Sequence, residues 1–275
     1  MRKIRVSALV VMWLMAVFVT TQTPALGQAD AQSAEAKEKA AQWAAANLRV
    51  ITPGVVNSSG LPDLAAAYTK ETGKKVAITV VGMGAIVEAI KTTNPPPDVI
   101  ALPFQLMTAL SLEGGIAPGT FTPLGRTRMG LAVRAGAPHP DISTVEKFAA
   151  ALRSAKAVMR SNPASRTMVA RIIDDMLKRP EFAGVNAPPS SKGEGGQALA
   201  RGDGDMAIQT ICQILPYKEI ELVGPLPPEL EVWLDMTTAV SARAMHRDDA
   251  LAFIKYLLQP EADKVWKPRG LERFY

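Results

Sequence analysis

Three short segments of the sequence combine residue types that bind anions in proteins. They are residues 52–59, 82–85 and 162–167, and each lies between a predicted strand and a predicted helix. Backbone N–H groups at a helix start are free to donate hydrogen bonds, and the helix dipole there favours negative charge. Gly54 and Gly82 would let a ligand approach the backbone closely. These segments therefore predict a site for a small anion.

Arg166 lies in the third segment, and its guanidinium could hold a carboxylate or a phosphate through two hydrogen bonds. Simpler roles stay open. Ser58 and Asn162 suit helix caps, the glycines suit tight turns, and Arg166 could pair with an acidic neighbour. A nucleotide site is not expected, because Gly82-Met83-Gly84 lacks the full G-x-G-x-x-G spacing and the sequence has no P-loop.

The N-terminus has the pattern of a secretory signal peptide. A basic start precedes an apolar run at residues 6–19, and small polar residues with an Ala25-Leu26-Gly27 cleavage pattern follow. We therefore predict a cleaved signal peptide at residues 1–29 and a periplasmic mature chain. The apolar run is shorter than the roughly 20 residues of a membrane span, so we expect no membrane insertion of the mature chain. An uncleaved N-terminal anchor is the alternative.

Charge and aromatic content argue against a nucleic-acid partner. Residues 1–27 hold three of the 31 Lys and Arg residues and none of the 26 Asp and Glu residues, which leaves a charge of about +2. That charge is too small for a nucleic-acid-binding protein, and the scattered aromatic residues, 5% of the chain, give bases no surface on which to stack.

Metal, thiol and hydrolase chemistry find little support in the sequence. Cys212 is the only cysteine, so no internal disulfide forms, and its apolar surroundings predict a buried, inert thiol. His139 and His246 are the only histidines, and no cluster has the spacing of zinc ligands. The chain also lacks a G-x-S-x-G motif. We therefore expect neither a metal nor another cofactor.

Strands and helices alternate through the first half of the chain. We predict strands at 48–51, 76–81 and 98–101, and helices at 61–72, 85–92 and 104–112. This alternation predicts a parallel sheet with right-handed crossovers.

Shorter elements are predicted further along. We expect a strand around 129–133, a helix from a capping box at Ser143 to Arg153, a strand at 157–159, a helix from Asn162-Pro163 to Lys178, a helix at 197–201, a strand at 206–209, an extended segment at 222–235, and helices at 248–258 and 260–266.

These elements predict an α/β chain with two lobes. The first lobe comprises residues 48–125 plus 236–275, and the second comprises residues 126–235 including the crossings between lobes. A loosely docked helical arm at residues 30–47 precedes them. Two lobes joined by two extended crossings would form a hinged cleft.

The segments LPDLAAAYTKETGKKV, GMGAIVEAI and PPPDVIAL resemble bacterial periplasmic solute-binding proteins of the molybdate-binding type. Later segments, such as SNPASRT and GGQALARGDGDMAI, continue the resemblance over almost the whole mature chain. The resemblance implies a two-lobed type II periplasmic binding fold, with two parallel or mixed sheets flanked by helices. It also implies a small anionic ligand in the cleft and the membrane subunits of an ABC transporter as partners.

The resemblance departs from molybdate binding in the expected ligand set. Molybdate binders hold the oxyanion with serine hydroxyls and a tyrosine, whereas the nearest matching positions here are Val56, Met83 and Thr210. Apolar side chains would leave the oxyanion oxygens without donors, so we expect a larger, carboxylate-bearing ligand. The candidate ligand-binding residues are Thr52, Gly54, Asn57, Ser58, Gly82, Met83, Gly84, Ser165, Arg166, Thr167, Gln209 and Thr210.

Two further functions stay open. One branch of the fold family that this chain resembles includes a periplasmic aconitate isomerase, whose reaction needs a positioned base and an anion clamp. Glu194, in the loop before the predicted helix at Gln197, is the candidate catalytic base, and a solvated loop glutamate is its alternative role. The same two-lobed fold could also serve as a ligand sensor or as an accessory partner of a receptor.

Overall fold

The computed structural model describes residues 25–165 and 167–274. Most of the predicted signal peptide, up to residue 24, and Arg166 lie outside the described residues. The chain divides into two compact units, Met1–Ala41 and Gln42–Tyr275. Within the described residues, no helix combines the length and the apolar character needed to cross a membrane.

The helices and strands alternate as the sequence predicts. The strands are β1 (Leu48–Thr52), β2 (Val76–Val80), β3 (Val99–Pro103), β4 (Thr122–Arg134), β5 (Val158–Met159), β6 (Met206–Thr210), β7 (Ile220–Pro225) and β8 (Trp233–Val240). The helices are α1 (Ala25–Ala45), α2 (Gly54–Ser58), α3 (Leu61–Thr72), α4 (Met83–Thr92), α5 (Phe104–Leu112), α6 (Val145–Ser154), α7 (Met168–Leu177), α8 (Gly195–Ala200), α9 (Arg247–Leu258) and α10 (Asp263–Trp266).

The eight strands form a mixed sheet. Their order is β2-β1-β3-β8-β4-β6-β5, and β7 also pairs with β4. β1 runs parallel to β2 and β3, as the strand–helix alternation predicts. β8 is antiparallel to both β3 and β4, whereas β5 and β6 are parallel.

The long strand β4 takes part in both halves of the sheet. Its first half pairs with β8, where Arg128 lies opposite Trp233, and its second half pairs with β6 and β7, where Gly130 lies opposite Pro225. The pairing partner of β4 therefore changes between positions 128 and 130. This change falls at the first predicted crossing between lobes, although the lobe boundaries themselves stay a prediction.

Buried apolar side chains hold the first strands in the sheet and hold α9, from the end of the chain, against α3. Every residue of β1 is buried, which is typical of a parallel strand that is covered on both faces. Tyr68 of α3 packs edge-on against Phe253 and Tyr256 of α9, with ring centroids 5.0 and 5.2 Å apart. Helix α9, near the end of the chain, therefore packs against α3 of the first βαβ unit.

A buried ion pair joins four segments of the chain next to β1 and β3. Asp98 is fully buried and accepts hydrogen bonds from the backbone N–H groups of Arg49, Met245 and His246 at 2.9–3.0 Å. The guanidinium of Arg49 lies 3.4 Å from the Asp98 carboxylate and donates to the carbonyl oxygens of Trp43 and Ala44. Asp98 therefore satisfies polar groups that would otherwise be buried without partners.

The arm at residues 30–47 is better anchored at its C-terminal end than its composition suggests. Trp43 is buried, and its indole N–H donates to the carbonyl oxygen of Pro95 at 2.7 Å. The expectation of a loosely docked arm is therefore wrong for Trp43. Burial of a large aromatic ring stabilises the folded chain by more free energy than the surrounding Ala, Glu and Lys residues lose.

Two predicted helix starts and one predicted loop also need correction. Pro163–Ser165 form a 3-10 turn, and α7 begins only at Met168, because the Thr167 side chain accepts a hydrogen bond from Ala170 N. Thr144, not Ser143, caps α6 by accepting from Lys147 N. Segment 52–59, expected to be a loop, contains the short helix α2.

Candidate functional site

Loops from both halves of the sheet meet at a narrow cavity of about 30 Å³. The segment after β1, the start of α4 and the start of α7 all contribute to its wall, together with the residue before α8 and one residue after β6. The lining residues are Pro53, Gly54, Val55, Gly82, Met83, Thr167, Val169, Glu194 and Gln213. All three predicted anion-binding segments therefore contribute residues to the wall of this cavity.

A chain of polar side chains links Glu194 to the end of β6. The hydroxyl of the fully buried Ser161 donates a hydrogen bond to the Glu194 carboxylate. Gln209, also fully buried, donates from Nε2 to Glu194 at 3.3 Å and to Gln213 Oε1 at 2.9 Å. The hydroxyl of Thr210 donates to the same Gln213 oxygen at 2.7 Å. These bonds hold the Glu194 carboxylate and the Gln213 amide in place.

The network also fixes which end of the Gln213 amide faces Gly54. Because Gln213 Oε1 accepts two hydrogen bonds, the amide nitrogen points the other way, toward Gly54. A Cβ atom at Gly54 would lie 3.1 Å from Gln213 Nε2. The amide N–H groups of Gln213 therefore add a donor to the cavity wall.

Two glycines after Glu194 bring α8 against the second half of the sheet. A Cβ atom at Gly195 would lie 2.8 Å from Arg160 Cα and 3.0 Å from Met159 O, and one at Gly196 would lie 2.8 Å from Gln213 O. Only glycine allows this close approach of backbones. The approach places Glu194 within hydrogen-bonding distance of Ser161.

Two neutral groups lie close to the network. Cys212 is fully buried, and burial raises the pKa of its thiol; the hydrogen bond that the thiol donates to the Thr210 hydroxyl at 3.6 Å opposes this effect. Burial also raises the pKa of Tyr217; the positive charge of Arg201 lowers it, and the negative charge of Glu194 raises it further. A buried thiol with a raised pKa is unreactive, which agrees with the sequence prediction for Cys212.

The narrow cavity adjoins a larger groove of about 740 Å³. Met83 and Thr167 line both spaces. One wall of the groove is apolar and comes from α4 and α5, and the other comes from α7 and the residues around it. The lining residues are Met83, Gly84, Val87, Leu106, Pro163, Thr167, Met168, Arg171, Asp174, Asp175 and Lys178. The groove has a volume in the range of small-molecule sites.

The candidate site residues fall into three groups by position. Residues that line the cavity or the groove are Gly54, Gly82, Met83, Gly84, Thr167 and Glu194. Gln209 and Thr210 lie behind the cavity wall in the polar network. Arg166 lies outside the described residues.

The remaining four candidates lie outside the described lining of the cavity and the groove. The Thr52 hydroxyl donates to Pro53 O at 3.3 Å, and the Ser165 hydroxyl donates to Asn162 O at 2.6 Å. Asn57 and Ser58 belong to α2 and are half-buried, and neither belongs to the described lining of the cavity or the groove. The role of these four residues in ligand binding stays a prediction.

Sequence reasoning missed Ser161, Gln213 and Arg171. A polar residue inside the apolar run 208–215 was a usable signal for Gln213, since buried amides need partners. Ser161 directly follows a short strand and carried no signal beyond its hydroxyl. Arg171 falls well inside the helix predicted from Asn162-Pro163 to Lys178, away from its predicted start.

Strands with helices on both faces, and a cleft at the carboxyl ends of β1 and β2, define a ligand-binding protein of the type II periplasmic binding fold. The chain belongs to the family of bacterial extracellular solute-binding proteins, whose model matches residues 55–272. Both the predicted fold class and the predicted family relationship are therefore confirmed.

Known proteins with different ligands share this fold. The chain is 28% identical over 231 residues to an aconitate isomerase of a Pseudomonas species, which covers 81% of this chain and 88% of that protein. The periplasmic molybdate-binding protein of Azotobacter vinelandii has a TM-score of 0.64 at 18% identity and covers 83% of this chain and 100% of that chain. Peb3 from Campylobacter jejuni has a TM-score of 0.64 at 20% identity over the same shares.

Proposed function

We propose that the protein captures a small di- or tricarboxylate in the cavity and the adjoining groove. The observation that carries this proposal is the convergence of neutral donors on one cavity. The starts of α4 and α7 line it, and the Gln213 amide nitrogen lies beside Gly54 in its wall. Free N–H groups at helix starts favour anions, and an amide side chain adds a directed hydrogen bond.

The family and the N-terminal sequence support an extracytoplasmic role. We propose that a signal peptide directs the chain to the periplasm, where it delivers its ligand to the membrane subunits of an ABC transporter. Closure of two lobes about the crossings at β4 and β8 would enclose the ligand.

A thermal-shift panel of oxyanions and carboxylates tests the binding proposal. At a ligand concentration of 100 times Kd, binding to the folded state adds about 2.7 kcal/mol to the free energy of unfolding, which is a shift of about 5–11 °C for a chain of this size. We expect such a shift with tricarballylate or another di- or tricarboxylate and not with molybdate. Absence of any shift with millimolar carboxylates would overturn the proposal.

A second candidate function is isomerisation of aconitate at the same site. The observation that favours it is a carboxylate, Glu194, in the wall of a cavity otherwise suited to an anion. A protein that only binds an anion gains no affinity from a negative charge in the cavity wall, whereas removal of a proton beside a carboxylate requires a base. The similarity to a Pseudomonas aconitate isomerase supports the same conclusion.

The proposed reaction moves a proton and a double bond without net oxidation or reduction. Glu194 takes a proton from the methylene carbon of aconitate, and the electron pair of the C–H bond forms a new double bond. The electron pair of the former double bond then takes the proton back from Glu194, at the carbon at the other end of the three-carbon unit. Helix starts and the Gln213 amide stabilise the negative charge that develops on the neighbouring carboxylate.

Glu194→Gln separates the two functions. In the isomerase proposal, turnover of cis- and trans-aconitate falls by about 10²–10⁴-fold, the usual contribution of a general base, while tricarballylate still binds. NMR in D₂O measures both the conversion and the entry of deuterium. Glu219→Gln is the matched control, because Glu219 is exposed and lies outside both lining sets. A wild-type protein that binds tricarballylate but leaves aconitate unchanged would exclude the isomerase function alone.

A further inference from the structure

One cation in the groove is not neutralised by the acidic residues around it. Lys178 lies 2.8 Å from Asp174 and 3.1 Å from Asp175, and Asp174 is also 3.5 Å from Arg160. Arg171 lines the same groove and is exposed, and no acidic side chain among the described residues forms an ion pair with it. The charges of the other groove residues are thus matched, and that of Arg171 is left for a ligand.

Helix geometry brings Arg171 close to the narrow cavity. Its backbone N–H donates to the carbonyl oxygen of Thr167 at 3.1 Å, which closes the first turn of α7. Residues four apart lie on the same face of a helix, and side chains tilt toward the helix N-terminus. The Arg171 side chain is therefore directed back along the face that carries Thr167, which lines both the cavity and the groove.

We propose that Arg171 binds a second anionic group of the ligand and thereby selects dicarboxylates over monocarboxylates. This inference rests on the proposed capture of a carboxylate in the cavity. One carboxylate would meet the helix starts and Gln213, and the other would meet the guanidinium of Arg171. One helical turn advances about 5.4 Å, which is of the order of the separation between the carboxylates of a short dicarboxylate.

An arginine suits this role better than a lysine would. Its guanidinium binds a carboxylate through two parallel hydrogen bonds, which fixes the direction of the ligand as well as its charge. The opposite groove wall supplies apolar contacts from Met83, Val87 and Leu106. A short carbon chain could therefore lie between the apolar wall and the charged one.

A matched pair of ligands tests the assignment by isothermal titration calorimetry. Succinate and succinamate differ only in that one carboxylate of succinate is replaced by a neutral amide. We expect the wild-type protein to bind succinate about tenfold or more tightly than succinamate, which is the usual contribution of a charge-assisted hydrogen bond. Arg171→Gln should abolish this preference, and Arg171→Lys should retain part of it. A third ligand, 3-phosphonopropionate, tests whether this position takes a phosphorus oxyanion instead.

The controls separate this inference from the proposed function. Arg179→Gln removes one positive charge from the same region without touching the groove lining, because Arg179 pairs with Glu181 at 2.7 Å. That variant should keep the wild-type preference. A preference for succinate that survives in Arg171→Gln would overturn the role of Arg171 and leave the cavity as a carboxylate site. If the wild-type protein binds tricarballylate but none of these three ligands, the role of Arg171 is overturned alone; if it binds neither tricarballylate nor any of the three, both proposals are overturned.

Discussion

Replacement of Gly82 by alanine should weaken ligand binding without loss of stability. A Cβ atom at Gly82 would have no heavy atom within 4 Å, and the backbone angles of this residue, φ −59° and ψ 140°, suit alanine. A Gly→Ala change at a compatible position raises the free energy of unfolding by about 0.4–1 kcal/mol, because the unfolded chain loses conformational freedom. The folded protein should therefore tolerate the change.

The added methyl group competes with the ligand for space. Gly82 lines the narrow cavity, so a methyl group added to it takes up space beside the position that the ligand would occupy. An overpacked site costs about 1–3 kcal/mol, which corresponds to about a fivefold to 150-fold weaker affinity.

Two measurements on the same sample check this prediction. Urea unfolding gives the change in stability, and calorimetric titration with tricarballylate gives the change in Kd. Gly224→Ala is the matched control, because its Cβ atom would make only an ordinary contact of 3.8 Å with Ile142 and the residue lies outside the cavity lining. Wild-type affinity in Gly82→Ala would refute the placement of the ligand in this cavity.

Two further predictions concern groups away from the cavity. Asp98→Ala should lower the free energy of unfolding by about 3–5 kcal/mol, because it leaves the Arg49 guanidinium and three backbone N–H groups without their buried acceptor. Asp248→Ala is the control: Asp248 is exposed, so this change should alter the free energy of unfolding by less than about 0.5 kcal/mol. An unchanged urea midpoint in Asp98→Ala would contradict this prediction. Burial and a hydrogen bond to Glu71 raise the pKa of Tyr256 to about 12, so this tyrosine stabilises the fold below pH 10 and that stability is lost as the pH rises through 12. In a pH titration followed by absorbance at 295 nm, Tyr256→Phe should lack one tyrosine from the phase at highest pH that the wild-type protein shows. An unaltered titration curve would contradict the assignment.

The first half of the fold could be predicted because its signals are local. Gly73 has φ +74° at the end of α3, where only glycine is free of strain, and the β-branched run after it forms β2. Buried apolar runs then place β1 and β3 beside each other. Each of these signals involves residues close in sequence, so the sequence alone is sufficient to read them.

The helix start near the cavity could not be predicted in the same way. Asn162 and Thr167 are both good N-cap residues, and sequence alone gives no reason to prefer the second. In the structure the Asn162 side chain accepts from Ala164 N and donates to Ser190 O, which holds it in a turn. The contact with Ser190 crosses 28 positions of sequence, so it is visible only in the folded chain.

The polar network was missed for a related reason. Ser161, Glu194 and Gln209 come from three separated segments, and each alone suits a surface or a strand end. Their contact depends on the close packing that Gly195 and Gly196 allow. The direction of the Gln213 amide depends in turn on two donors that sequence spacing does not pair with it.

The position of Glu194 bears on the choice between capture and catalysis. A unit negative charge about 4 Å from a carboxylate ligand costs about 4 kcal/mol at an effective dielectric constant of 20, so Glu194 opposes the binding that the helix starts and Gln213 favour. Ser161 and Gln209 both donate to this carboxylate, which holds it in the cavity wall. A protein selected for affinity alone would gain from glutamine at this position. The ordered, hydrogen-bonded carboxylate in the cavity wall therefore supports the proposed proton-transfer step, and Glu194→Gln should bind tricarballylate more tightly than the wild-type protein does.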